Sequence, residues 1–128
     1  MKRTLLTLAI VTVAGVVSAY AHHSFAAHYF ENQSITLQGD VQEFRFESPH
    51  ALLMFNARTP RGQMATYTAE WGNPRRLGSQ GLNKDTLRPG DTVIVSGAPG
   101  RAVSENRIHL KGIRRPSDGW SWGEGGRR

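Results

Sequence analysis

One helix start, Gly72-Asn73-Pro74, interrupts a chain that otherwise alternates with the period of a β-strand, and its position limits the fold more than any other feature. Asn73 is a good N-cap and Pro74 a natural first helical residue, so a short helix is expected from Pro74 to about Gln80, with Gly81 after it. Gly78, and two cations at the positive end of the dipole (Arg75 and Arg76), leave that helix little intrinsic stability. Three strands are expected before it. In Ile35 to Phe46, Ile35, Leu37, Gly39 and Val41 share one parity while Phe44 and Phe46 take the other, so a bulge is expected, with Gly39 at the bend. Ser48-Pro49 makes a turn that carries His50. Ala51 to Arg58 and Gln63 to Trp71 form a hairpin around Pro60-Arg61-Gly62, and Ala65, Tyr67, Ala69 and Trp71 face the core. Two strands are expected after the helix. Thr92 to Gly97 follows the turn Arg88-Pro89-Gly90-Asp91, and Arg107 to Arg114 puts Ile108 and Leu110 inward and Arg107, His109 and Lys111 outward. A helix linking strands three and four fits an all-β fold, a five-stranded OB-like Greek-key barrel, better than a β-sandwich. Ser24 to Ser34 has no clean period and is expected to cross the barrel surface, anchored by Phe25, Tyr29 and Phe30.

The first residues follow different physics. Lys2 and Arg3 precede an apolar run, Leu5 to Val17, and Ala19 and Ala21 stand at signal-peptidase spacing. The run is shorter than the roughly 20 residues a bilayer span needs. Residues 1–21 therefore read as a cleaved signal peptide, residues 22–115 as the barrel and residues 116–128 as a disordered Gly-, Trp- and Arg-bearing tail, with no membrane span after processing. The expected location is the periplasm or the outside of the cell. The absence of cysteine excludes thiol catalysis, disulfides and a lipid-modified N-terminus. Loss of Lys2 and Arg3 takes the formal charge from +6 to +4, and much of the excess lies late, at Arg107, Lys111, Arg114, Arg115, Arg127 and Arg128.

Several short stretches occur together: His22-His23-Ser24-Phe25, Thr36-Leu37-Gln38-Gly39-Asp40-Val41, Ser48-Pro49-His50, Glu70-Trp71-Gly72-Asn73-Pro74 and the run from Asp85 to Pro99. In this combination the chain resembles an uncharacterised family of small exported bacterial proteins with a mature His-His-Ser-Phe start. The likeness runs from His22 to about Arg114 and implies an exported OB-like barrel. It implies no activity, and Ser48 stands where the family's turn usually has Asn.

Processing ahead of His22 frees an α-amine beside an imidazole. Those nitrogens chelate one ion in a small ring, and a further His completes a planar set of the kind that favours Cu(II). The amine loses its proton at neutral pH for only about 1 kcal/mol. Cleavage after Ala19 would leave Tyr20-Ala21-His22, which also suits Cu(II) or Ni(II). The candidate metal ligands are His22, His23, His28 and His50, the last held on a Pro-stiffened turn. His109 is left out, because Arg107 and Lys111 flank it and an outward strand position is expected to face solvent. Met54 and Met64 read as space-filling. Ser24 beside His23 is no triad, and Glu43, Glu47 and Glu70 read as solvated acids. Nucleic acid is not an expected partner, since Tyr67 and Trp71 share the core face. The expected function is a non-enzymatic exported module that binds Cu(II). The competing expectation is a metal-free envelope protein that binds a protein or an anionic polymer through strand five and the tail.

Overall fold

The computed structural model describes residues 24–124. The expected signal peptide, His22, His23 and residues 125–128 lie outside the described residues.

A short helix α1 (Ser24–His28) is followed by β1 (Ile35–Arg45), β2 (Leu52–Arg58), β3 (Met64–Glu70), helix α2 (Pro74–Ser79), β4 (Thr92–Pro99), a 3-10 turn (Val103–Glu105), β5 (Arg107–Arg115) and β6 (Trp120–Gly123). The sheet runs β3-β2-β1-β4-β5-β6, and a parallel pairing of β3 with β5 closes its first five strands into the OB-type Greek-key barrel. Length explains how β1 serves two partners: its first half pairs with β4 from Ile35 to Asp40, and its second with β2 from Gly39 to Arg45.

The bulge falls between Val41 and Glu43 rather than at Gly39. Gly39 and Val41 are buried ahead of it and Phe44 turns inward after it, as the change of parity required. Gly39 has another reason to be glycine, since a Cβ there would overlap the carbonyl oxygen of Asn56 on β2. The barrel interior is filled by Leu53, Phe55, Val93, Val95 and Ile108, all fully buried. Beneath it α2 begins as expected: the Asn73 side chain accepts from the Arg75 N–H at 2.8 Å and Pro74 opens the first turn. Leu77, its one buried residue, plugs the barrel end beside Trp71 and thereby holds a helix too short to persist alone. Tyr67 and Trp71 lie in the core.

The expectation of a disordered tail is corrected for residues 116–124. Trp120–Gly123 adds a sixth strand, pairing with β5 from Gly112 to Arg115. Composition misled because two aromatics outweigh the Gly and Ser around them: Trp122 packs edge-on against Trp71 at 5.0 Å and donates its N–H to Gln80 at 2.8 Å. The preceding turn is pinned by Arg115, which grips Asp118 at 2.8 Å, while Gly119 takes the positive φ of +75° the turn requires.

Candidate functional site

A five-residue helix has no stability of its own in water, so α1 exists because something holds it. Tyr29, directly after it, is 1% exposed and pairs with Gly100. Phe30 donates its N–H to the Pro99 carbonyl at 2.9 Å, and Arg101 grips the helix by donating to the Ala26 carbonyl at 2.9 Å. Phe25 completes the docking. Its ring stacks on His109 at 3.8 Å with 3° between planes and meets the tilted ring of His50 at 5.1 Å. The segment following the paired histidines is therefore fastened between two imidazoles of the barrel.

Each imidazole is tied from behind to a carboxylate. His50 Nδ1 lies 2.8 Å from Glu70 Oε1, and His109 Nδ1 lies 2.6 Å from Glu31 Oε1. A carboxylate accepts, so Nδ1–H donates and the lone pair of the neutral ring falls on Nε2. Among the described residues neither Nε2 has a hydrogen-bond partner. Glu70 also accepts the Tyr29 hydroxyl at 2.5 Å and Arg107 at 3.1 Å, and Glu31 accepts Lys111 at 2.7 Å. Burial pushes the Glu70 carboxyl upward, but hydrogen bonds from Tyr29 and His50 and the Arg107 charge outweigh it and hold the group below the ordinary carboxylate range. Glu31 is held low in the same way, its burial outweighed by Lys111 and His109. Tyr29 moves up through burial and its bond to Glu70, so its hydroxyl keeps its proton and donates.

The four histidines expected from the sequence part company here. His50 is half-buried on its turn against Phe25. His28 is exposed at the end of α1 and opens on a different hollow, whose lining mixes Arg101 and Arg107 with Glu70 and Glu105. His22 and His23 lie outside the described residues. Among the described residues no three of His, Cys, Asp and Glu come together as a metal-binding group. The exclusion of His109 rested on a solvent-facing ring and repelling neighbours, and neither holds. Its side chain is 16% exposed beneath Phe25, and Lys111 and Arg107 are engaged by Glu31 and Glu70. A hint was present in the sequence, because Phe25 and Tyr29, read as anchors, need an outward barrel position to pack on. Nothing there pointed to β5 or to Glu31.

Among the described residues no helix is long and apolar enough to cross a membrane. Among the solved structures similar to the chain are three with 20–23% identity. The mitochondrial single-stranded DNA binding protein Rim1 from S. cerevisiae is 20% identical with a TM-score of 0.48, over 66% of this chain and 92% of that one. A small single-stranded DNA-binding protein from Streptomyces coelicolor is 20% identical with a TM-score of 0.43, over 65% of this chain and 91% of that one. A tRNA fluorescent labeling enzyme is 23% identical with a TM-score of 0.43, over 65% of this chain and 18% of that one. None of the curated proteins matches the chain. Residues 9–109 match DUF6152, a family of unknown function, and the chain belongs to that family.

Proposed function

We propose that this protein is an exported, non-enzymatic binding module that takes up Cu(II) at its mature N-terminus, with His22 supplying amine and imidazole nitrogens and His50 supplying Nε2. The observation that carries this reading is the docking of Phe25 against His50, whose Nδ1 is tied to Glu70. His22 precedes Phe25 by three residues, so its Cα can lie no farther from that of Phe25 than about 11 Å. His50, whose Nδ1 is tied to a carboxylate, is preferred as the assisting ligand to His28, which has no such partner among the described residues, and His23 is the neighbour able to add a nitrogen. An imidazole backed by a carboxylate is oriented and more basic, which suits a metal ligand. An N-rich set of this kind suits Cu(II).

The competing reading, a basic surface for an envelope protein or an anionic polymer, draws less support. Arg107, Lys111 and Arg115 are each paired with an acid of the same domain. Buried Tyr67 and Trp71 offer no stacking platform for single-stranded nucleic acid. The decisive experiment is native mass spectrometry of the protein recovered after export, with and without added Cu(II). One copper on a chain beginning at His22, lost when a single alanine is added ahead of His22, supports the reading. A chain beginning downstream of His23, or one that takes up no copper when begun at His22, overturns it.

A further inference from the structure

We infer that the cleft between α1, α2, β5 and β6, which Phe25, His50 and His109 also line, binds a small aromatic carboxylate. The cleft has a volume of about 560 Å³, the scale of small-molecule sites. Its aromatic walls come from distant parts of the chain: Phe25 from α1, Trp71 from the end of β3 and Trp122 from β6. Flat walls of this kind accept a flat apolar ring, edge-on or offset.

Charge selects the sign of the ligand. The lining includes Arg76 and Lys111 but no Asp or Glu. Lys111 is already held by Glu31, whereas Arg76 has no ion-pair partner among the described residues. A second observation points the same way. Trp71 is 1% exposed, and its indole N–H is buried with no hydrogen-bond partner among the described residues. A buried donor left unpaired costs about 1–3 kcal/mol, and Trp71 itself borders the cleft. A neutral ring would leave the Arg76 guanidinium without its partner. An aromatic carboxylate uses the walls and the charge together.

The cleft shares His50 with the copper reading, but carboxylate binding needs no metal, so its test is run with chelator present and its failure is distinguishable from that of the copper reading. The full exported protein, labelled with ¹⁵N, is titrated with 1-naphthoate while the indole N–H signals of its three tryptophans are followed by NMR. Trp71 and Trp122 are expected to shift saturably. Trp120, which packs under Arg115 and does not line the cleft, is expected to stay. The neutral 1-naphthalenemethanol should bind at least about tenfold more weakly, and Arg76→Gln should weaken 1-naphthoate by about tenfold. No saturable shift at millimolar 1-naphthoate, an equal response at Trp120, or equal binding of the alcohol would each overturn the proposal.

Discussion

Tyr29→Phe removes one oxygen from the contact that fastens α1 to the barrel and leaves the ring in its buried place. The lost bond is short, 2.5 Å, and charge-assisted, because Glu70 is ionised at neutral pH. Hydrogen bonds to charged groups contribute about 1.5–3 kcal/mol. Glu70 keeps His50 and Arg107, so it is not stranded, and the lower part of that range applies: about 1.5–2 kcal/mol. For a domain of this size the midpoint of thermal unfolding should fall by roughly 6–12 °C. Urea unfolding at pH 7, followed by tryptophan fluorescence, measures the change. A cycle with Glu70→Gln, which keeps the shape and removes the charge, isolates the coupling, expected near 1 kcal/mol. Hydrogen exchange adds a local reading: the Phe30 N–H, bonded to Pro99, and the Arg101 N–H, bonded to His28, should lose protection first. If the two substitutions add within about 0.5 kcal/mol and both amides stay protected, the hydroxyl–carboxylate contact does not hold α1.

The same network sets a pH dependence. The folded-state pKa values of Glu31 and Glu70 are depressed, so the stability they contribute is fully present above the ordinary carboxylate range and is lost as pH falls through their folded values. Urea midpoints should therefore drop on acidification below about pH 4.5, and less steeply in Glu70→Gln. An equal slope would remove Glu70 from the account. In Cu(II) competition titrations His50→Ala should lower affinity by about a hundredfold or more, since loss of an orienting partner alone costs about 10–100-fold, and His28→Ala should change little. The reverse order would move the site to the other end of α1. Trp122→Ala should destabilise by about 2–3 kcal/mol, less than full burial of the ring would give, because the side chain is half-buried. A change within 0.5 kcal/mol in urea unfolding would mean β6 does not stabilise the barrel. Gly39→Ala should cost more than about 2 kcal/mol, as its methyl would meet the Asn56 carbonyl, and an unchanged midpoint would contradict that packing.

Local chemistry wrote the barrel into the sequence. Alternation at Ala65, Tyr67, Ala69 and Trp71 needs no partner to be read, and Asn73-Pro74 starts a helix through contacts within one turn. The change of parity between Val41 and Phe44 announced a bulge, although its position depended on where β2 pairs, and that moved it from Gly39 to between Val41 and Glu43. The site was legible only in part. His50 could be singled out from its turn, but its Glu70 partner lay on a strand whose polar positions all look alike. Tertiary structure alone decided that Phe25 covers His109, that Glu31 offsets Lys111 and that Trp122 meets Trp71. Each of these joins residues 51 to 84 positions apart. Periodicity tells which way a side chain leaves its own strand, whereas burial of an outward one depends on which distant segment is laid across it.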